Sequence, residues 1–216
     1  MATRNEEKAI GKVITEIQDT MQDDVEIVVV DGSVDETPKI ARQLGARVIS
    51  QSPKGYGIAV KRAVLEGTGD IIITLDADDT YPVENIPRLV EILRDGYAIA
   101  SASRMQGIPP NMRLLNVLGN KILALLVTLL SLRRVHDVTT GMRAYRREII
   151  HWFDWTENTG LSAELLIRPL IHGYKVKEID IRYDARLGET KLDPFKGFLS
   201  ILKTVVKYCL FHRRKR

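Results

Sequence analysis

The chain has 216 residues, of which 44% are hydrophobic and 28% are charged, with a net charge of +4 at neutral pH. Such a composition predicts one globular domain, or one domain with appendages, that buries a core. The single cysteine, Cys209, excludes an intrachain disulfide and favours a reducing compartment. The polar N-terminus predicts no signal peptide, and no uncharged apolar run reaches the roughly 18 residues of a membrane span.

Basic residues are unevenly placed along the chain. Four of them form the C-terminus, Arg213 to Arg216, and Arg133-Arg134 is another pair. Both groups follow apolar segments, which favours contact with anionic lipid over contact with nucleic acid.

In the first half of the chain, β-branched apolar runs alternate with amphipathic segments. The pattern predicts helices at residues 6–22, 36–44, 58–66 and 84–94, and strands at 26–30, 46–50, 71–75 and 98–103. Strands and helices that alternate at this pace form right-handed βαβ units. The expected fold class is therefore α/β with a mostly parallel sheet and flanking helices.

The second half begins with a loop at residues 105–111 and an apolar helix at 114–132. The last 11 residues of that helix are nearly uncharged, too short to span a bilayer but suited to a buried or interfacial position. There follow a compact polar segment at 137–147, a helix at 161–172, a strand at 175–183 and a loop at 186–191.

The C-terminal segment 195–211 is strongly amphipathic. Its apolar side chains share one face at helical spacing, with Lys196, Lys203 and Lys207 opposite. Such a helix, ending in a basic cluster, is typical of the membrane interface. An ordinary surface helix packed on the core has the same pattern, so both interpretations stay open.

The run Asp76-Ala77-Asp78-Asp79 directly follows the predicted strand 71–75. In open α/β sheets, ligands bind beyond the carboxyl ends of strands. Clustered carboxylates repel one another unless a cation lies between them, and Mg²⁺ or Mn²⁺ would bring a phosphate with it. The alternative is that Asp78 and Asp79 only cap the next turn and helix.

Other candidate residues also end strands or border loops. Asp31 could accept hydrogen bonds from a nucleotide base or ribose, or it could be a turn aspartate that caps the next helix. Arg104 ends a strand, and Arg186 and Lys191 border a glycine-containing loop. Arginine suits a diphosphate, but all three cations could equally be solvated or salt-bridged.

These pieces, in this order, resemble the family-2 glycosyltransferases with the GT-A fold, close to the polyprenyl (dolichyl) phosphate mannose synthases. The matching stretches cover nearly the whole chain: Asn5-Glu6-Glu7, residues 30–37, Lys54-Gly55-Tyr56-Gly57, Asp76-Ala77-Asp78, Ser103-Arg104, residues 137–143 and residues 186–192. The resemblance implies a Rossmann-like catalytic domain at 1–192, including the interfacial helix 114–132. It also implies a basic membrane-interface helix at 193–216.

The resemblance also implies roles for individual residues. The nucleotide side would be bound by Glu6, Val29 and Asp31. The diphosphate would face Asp76, Ala77 and Asp78, and a metal would lie at Asp78 and Asp76, assisted by Thr80. Arg104, Arg186 and Lys191 would hold the diphosphate or the acceptor phosphate. Asp78, Asp76 and Arg104 are thus the expected catalytic residues, whereas the role of Glu164 stays open.

The implied reaction is metal-dependent transfer of a hexosyl group, with inversion, from a nucleotide sugar to polyprenyl or dolichyl phosphate. GDP-mannose is the first choice of donor, and UDP-glucose or UDP-N-acetylglucosamine the second. Mg²⁺ or Mn²⁺ is the expected cofactor. The expected location is peripheral, on the cytoplasmic face of a membrane, with or without a separate anchoring protein and without nucleic acid. A non-catalytic, membrane-associated protein that binds nucleotide sugars is the alternative.

The chain departs from the family pattern at three places. Family members begin with an apolar strand that ends in Pro-x-x-Asn-Glu. Most of that strand is missing here before Asn5, and we therefore expect the native gene to begin a few residues upstream. Val30 replaces the first aspartate of the usual pair, which leaves Asp31 alone. Thr80 stands where a metal-assisting glutamine is common.

Overall fold

The computed structural model describes residues 1–22, 25–105, 107–187 and 194–211. Lys191 and the basic residues 213–216 therefore lie outside the described residues. The strands are β1 (Ala2–Thr3), β2 (Val28–Asp31), β3 (Arg47–Ser50), β4 (Ile71–Thr74), β5 (Ile99–Ser103), β6 (Arg143–Arg146) and β7 (Val176–Asp180). The helices are α1 (Ile10–Met21), α2 (Thr37–Gln43), α3 (Tyr56–Glu66), α4 (Ile86–Arg94), α5 (Leu114–Ser131), α6 (Arg147–Trp152), α7 (Leu161–Ile171) and α8 (Pro194–Val206). A 3₁₀ turn, Val83–Asn85, precedes α4, and a π-helical turn, Lys207–Phe211, continues α8.

The strands form two sheets in which parallel pairs predominate. The first has the order β1-β2-β3 and is wholly parallel. The second has the order β4-β6-β5-β7, where β5 and β7 are parallel and β6 runs antiparallel between β4 and β5. The predicted α/β class is confirmed. Because β6 is antiparallel, β4 and β5 run the same way, and both carboxyl ends meet at one edge.

Strand β6 and helix α6 were missed by the sequence prediction, which took residues 137–147 as a polar segment. Arg143 is 1% exposed although it lies in a central strand. Its guanidinium donates from Nε to the Ser101 hydroxyl (3.0 Å) and from its Nη atoms to the carbonyls of Ser162 and Val138 (2.5 and 2.8 Å). A buried arginine is tolerated when its donors are satisfied in this way. Because Arg143 is charged, this segment lacked the apolar pattern from which a strand is predicted.

The first strand is as short as the sequence indicated. Only Ala2 and Thr3 pair with β2, opposite Val30 and Asp31. Among the described residues no strand pairing joins the two sheets. A cavity of about 400 Å³ lies between them, lined by apolar side chains that include Val28, Ile71 and Ile73.

Apolar packing replaces the missing strand pairing as the link between the sheets. One buried cluster contains Val29 from the first sheet, Ala100 from the second, and the inner faces of α1 and α4. Helix α1 contributes four buried residues at helical spacing: Ile10, Val13, Ile14 and Ile17. The strand ends that carry the polar candidates are thus held on one common core.

Helix α5 carries a broad exposed apolar face. Val117, Leu123 and Val127 are buried against the protein. The exposed residues are Leu114, Leu115, Leu118, Ile122, Leu125 and Leu129. Among the described helices, α5 alone is long and apolar enough to cross a membrane, by length and composition only. The core helix of a soluble protein passes the same test.

Helix α8 and the turn that continues it have both buried and exposed apolar side chains. Val205, Tyr208 and Cys209 are buried in one cluster with α5 and α7. Phe195 and Leu199 are 71% and 47% exposed. The described part of the C-terminal segment therefore packs on the domain and still presents apolar side chains outward.

Candidate active site

The loop after β4 turns two carboxylates into the protein and one outward. Asp78 is 3% exposed, whereas Asp79 adopts a positive φ of 64° and pairs with the Lys12 ammonium at 2.6 Å. A positive φ is a turn conformation that aspartate tolerates. Asp79 is therefore the turn residue of the loop.

Asp78 binds a different partner with each of its carboxylate oxygens. Oδ1 accepts hydrogen bonds from the Thr80 hydroxyl (2.6 Å) and the Thr80 backbone N–H (3.2 Å). Oδ2 accepts the Arg186 guanidinium at 2.5 Å. Thr80, which was predicted to assist a metal, is 1% exposed and donates its hydroxyl proton to Asp78. In this structure it orients the carboxylate and does not face an open coordination position.

Asp76 lies beside Asp78, between a tyrosine and a glycine. The Tyr56 hydroxyl donates to its Oδ1 at 2.6 Å. A Cβ added at Gly141 would lie 2.5 Å from its Oδ2, so only glycine fits there. Burial and the charge of Asp78 raise the pKa of Asp76, whereas the hydrogen bond from Tyr56 lowers it. The sequence analysis gave no role to Tyr56 or Gly141, although both stood in the motifs it quoted.

Arg104 forms the salt bridge that was the alternative to phosphate binding. It is 8% exposed, and its Nε and Nη2 donate to the two oxygens of Asp137 at 2.7 and 2.9 Å. The rings of Tyr81 and Tyr183 lie against its guanidinium at 5.8 and 5.3 Å. Burial raises the pKa of Asp137, but the charge and hydrogen bonds of Arg104, together with the charge of Arg143, lower it to about 2. The charge of Arg104 reaches Asp76, yet its two strongest hydrogen bonds go to Asp137.

The residues predicted on the nucleotide side differ in what they can offer. Asp31 is 4% exposed and accepts hydrogen bonds from the hydroxyls of Thr3 (2.8 Å) and Ser33 (2.6 Å). Glu6 is also buried, and its charge raises the pKa of Arg186. The side chain of Val29 is wholly buried in the core, so its predicted nucleotide contact would have to come from the backbone.

Ala77 likewise turns its methyl group into the core. Only its backbone can face a ligand. Of the predicted cations that the structure describes, Arg186 contacts Asp78 directly. Burial lowers its pKa, but the neighbouring charges, chiefly those of Asp78, Asp76 and Glu6, raise it. The structure thus groups Glu6, Asp76, Asp78 and Arg186 at one place.

Glu164 lies in a different place from this group. It is wholly buried on α7 and accepts hydrogen bonds from the Tyr208 hydroxyl (2.6 Å), the Arg168 guanidinium (2.9 Å) and the backbone N–H of Glu157 (2.8 Å). Its carboxylate therefore joins α7 to α8 and to the loop before α7. This is a structural role, which the sequence analysis left open.

Comparison with known proteins now identifies the family. Residues 1–153 match the glycosyl transferase family 2. The chain belongs to this family. It is 52% identical over 213 residues to a dolichyl-phosphate hexose transferase of Haloferax volcanii, covering 99% of this chain and 93% of that protein. It is 32% identical to a dolichol-phosphate mannosyltransferase of Pyrococcus furiosus, covering 95% of this chain but 59% of that longer protein.

The fold agrees with this assignment. Glucosyl-3-phosphoglycerate synthase of Mycobacterium tuberculosis, crystallised with Mn²⁺, UDP and phosphoglyceric acid, superposes with a TM-score of 0.77 at 24% identity. The match covers 97% of this chain and 76% of that one. The glycosyltransferase described here therefore has the GT-A architecture that the sequence predicted.

The carboxylates at this site fit a divalent metal whose coordination a substrate helps to complete. No group of three or more histidine, cysteine, aspartate or glutamate side chains that could hold a metal occurs in the part of the chain that the structure describes. Two carboxylates, Asp76 and Asp78, converge. The Arg186 guanidinium binds Asp78 at the place where a metal ion would bind. Mg²⁺ typically takes one or two carboxylates and completes its shell with phosphate oxygens and water.

Proposed function

We propose that this glycosyltransferase moves a hexosyl group from a nucleotide sugar to a polyprenyl phosphate of the dolichyl type. The observation that carries the proposal is the pair of Asp76, half-buried, and Asp78, buried, at the carboxyl end of β4, with Arg186 on Asp78. That arrangement suits a diphosphate and its metal. The name of the Haloferax relative supports the lipid acceptor, since the two chains align over almost their whole lengths.

We assign the metal, Mg²⁺ or Mn²⁺, to Asp78 and Asp76. When bound there, it supplies positive charge to the departing diphosphate as a Lewis acid. Thr80 holds Oδ1 of Asp78, and Tyr56 holds Oδ1 of Asp76. The Oδ2 of Asp78, where Arg186 now binds, is the oxygen that would face the cation.

The acceptor needs no strong general base in this reaction. An oxygen of a lipid phosphate is already anionic at neutral pH, so it can attack C1 of the sugar without losing a proton. The bond from C1 to the diphosphate then breaks, and in-line attack inverts the anomeric configuration. Positioning and charge stabilisation account for catalysis, with Arg186 and the charge of Arg104 assisting.

The acceptor side is proposed to lie at a membrane surface. The exposed apolar residues of α5 and α8, among them Leu115, Leu125 and Phe195, support this location. We place the protein peripherally on the cytoplasmic face, with Lys191 at the phosphate and, where needed, a separate anchoring protein.

GDP-mannose is the proposed donor, with UDP-glucose and UDP-N-acetylglucosamine second. The Pyrococcus relative, which is named for mannosyl transfer, supports the first choice. Asp76, Asp78 and Arg186 would serve all three donors alike, because they contact the diphosphate that the donors share.

A direct assay tests the proposal. The protein is incubated with Mn²⁺ or Mg²⁺, a polyprenyl phosphate and each radiolabelled nucleotide sugar in turn, and the lipid extract is counted. We expect labelled lipid with one donor and none with EDTA. Nucleotide-sugar binding without labelled lipid from any donor would refute the proposed acceptor.

A further inference from the structure

The turn that begins helix α3 is built around an asparagine from a distant part of the chain. The Oδ1 of Asn158 accepts the backbone N–H of Gly57 at 3.0 Å, and its Nδ2 donates to the carbonyl of Lys54 at 3.3 Å. A Cβ at Gly57 would lie 1.9 Å from the Asn158 carbonyl oxygen, and one at Gly55 would lie 2.2 Å from its Nδ2. The two glycines therefore make room for Asn158, which explains a motif that lacks the spacing of a dinucleotide fingerprint.

This turn sets the position of the tyrosine between the glycines. The Tyr56 hydroxyl reaches Oδ1 of Asp76 at 2.6 Å, while the backbone of Gly141 closes the side of Oδ2. Asp76 is a half-buried carboxylate next to Asp78, so its orientation depends on the groups that contact it. A hydrogen bond to a charged group is stronger and more directional than one between neutral groups.

We propose that Tyr56 and Asn158 form a positioning pair that orients Asp76 toward the metal and the diphosphate. Tyr56 contacts the carboxylate, and Asn158 holds the turn from which Tyr56 projects. Neither residue touches the reacting atoms. The inference rests on the proposed function, since it takes Asp76 as a group that binds the donor.

The pair is supported from the C-terminal helix. Glu157, the neighbour of Asn158, accepts hydrogen bonds from the Lys207 ammonium at 2.6 Å and from the Thr204 hydroxyl at 3.2 Å. A Cβ at Gly160 would lie 2.0 Å from the Thr204 hydroxyl oxygen, so the loop and α8 are in close contact. The place of Asn158 therefore depends on how α8 packs.

The test measures binding of Mn²⁺ by electron paramagnetic resonance, in the presence of GDP and separately of UDP. Tyr56→Phe removes only the hydroxyl, and we expect its Mn²⁺ affinity to fall about tenfold, as for loss of a hydrogen bond to a charged group. Asn158→Ala should weaken binding in the same direction. Asn158→Asp keeps the acceptor for Gly57 at a helix N-terminus, so it should retain affinity within about twofold.

Tyr174→Phe is the matched control. Tyr174 packs in the cluster around Phe153, away from the carboxylates, and its hydroxyl forms no hydrogen bond with the described residues. We expect wild-type Mn²⁺ affinity for this variant. Thermal unfolding of all variants separates loss of affinity from loss of fold.

Two further measurements complete the test. If the pair acts as one unit, the double variant Tyr56→Phe/Asn158→Ala should bind Mn²⁺ no more weakly than Tyr56→Phe alone. In turnover assays, Tyr56→Phe should lower kcat and leave the KM for the lipid acceptor unchanged.

The inference is overturned if Tyr56→Phe binds Mn²⁺ within twofold of wild type, or if wild type binds none with either nucleotide. Because no acceptor is present, binding that responds as expected supports the inference even if no lipid product forms and the proposed function fails. Lipid product formed without Mn²⁺ binding would overturn this inference and support the proposed acceptor.

Discussion

The charged side chains around the site are paired, but the pairs differ in how easily they can separate. Arg104 is 8% exposed and binds a wholly buried Asp137, with two rings against its guanidinium. Arg186 is 31% exposed and holds Asp78 by one contact from a loop. Breaking a buried pair leaves an uncompensated charge, whereas a partly exposed one can turn to water. In the proposed mechanism, Arg186 is thus the cation that would give way to a metal, and Arg104 is a fixed charge.

The fixed pair should make stability depend on acid pH. The pKa of Asp137 is about 2 in the folded protein, below its ordinary 3.8, because the charge and hydrogen bonds of Arg104 and the charge of Arg143 together outweigh burial. A lowered pKa contributes stability that is complete above pH 4 and lost as the pH falls toward 2. We expect the free energy of unfolding to fall by roughly 2 kcal/mol from this group over that window. Chemical denaturation at each pH measures it.

Asp137→Asn should remove this part of the pH dependence and lower stability at pH 7 by about 3–5 kcal/mol, as expected when one partner of a buried pair is lost. Asp19→Asn, on the exposed face of α1, is the control and should change neither quantity. An Asp137→Asn protein as stable as wild type at pH 7 would show that the pair does not stabilise the fold.

Asp78→Asn tests the metal site itself. The substitution keeps the shape of the side chain but removes the charge that attracts the cation. We expect it to abolish Mn²⁺ binding and lipid glycosylation, while the cooperative unfolding transition is retained. Retained turnover would remove the metal at Asp78 from the mechanism.

At the scale of elements, α5 and α8 pack on α7 with part of their apolar surface and leave the rest exposed. Exposed apolar side chains grouped on neighbouring elements commonly mark a binding surface. Gly119 of α5 lies against the Phe198 ring of α8, so the two helices form one continuous surface. Glu164, Tyr208 and Arg168 hold that surface to the catalytic domain.

Acidic substitutions on α5 should weaken membrane binding. Leu115 and Leu125 are 80% and 59% exposed. Each buried leucine contributes about 1.5–3 kcal/mol, so Leu115→Asp with Leu125→Asp should lower binding to phosphatidylglycerol vesicles at least tenfold. Val34→Asp is the control, since Val34 is 93% exposed but lies outside α5 and α8. Unchanged co-flotation of the double variant would refute α5 as the membrane surface.

At the scale of the whole molecule, the site lies across the junction of the two sheets. Asp31 ends a strand of the first sheet, and Asp76 and Asp78 follow a strand of the second. No strand pairing among the described residues joins the sheets, and a cavity separates part of their facing edges. A donor that contacts both sheets would therefore add a link where no strand pairing holds them together.

Donor binding should accordingly stabilise the folded protein. At a concentration 100 times the dissociation constant, Mn²⁺ with the correct nucleoside diphosphate should raise the free energy of unfolding by about 2.7 kcal/mol. Thermal unfolding with GDP and with UDP should identify the donor base by the larger shift. EDTA and Asp78→Asn should each abolish it, and a shift that survives both would mean that the nucleotide binds without the metal.

The sequence by itself determined the α/β class, most element positions and the family, because alternating apolar patterns and ordered motifs are local properties of the chain. It also located Asp76, Asp78 and Arg186, since each directly follows a strand or lies in a recognisable loop. It did not give the burial of Val29 or the hydrogen-bond partners of Arg104 and Thr80, because burial and pairing depend on the tertiary structure.

Only the tertiary structure decided which groups surround the carboxylates. Tyr56 and Gly141 reach Asp76 from positions 20 residues before it and 65 after it. Strand β6 and the pairing of Asp137 with Arg104 depend in the same way on contacts between distant segments. A sequence pattern records the period of the chain and its turn residues, whereas the packing of distant segments determines which polar atoms are close enough to bond.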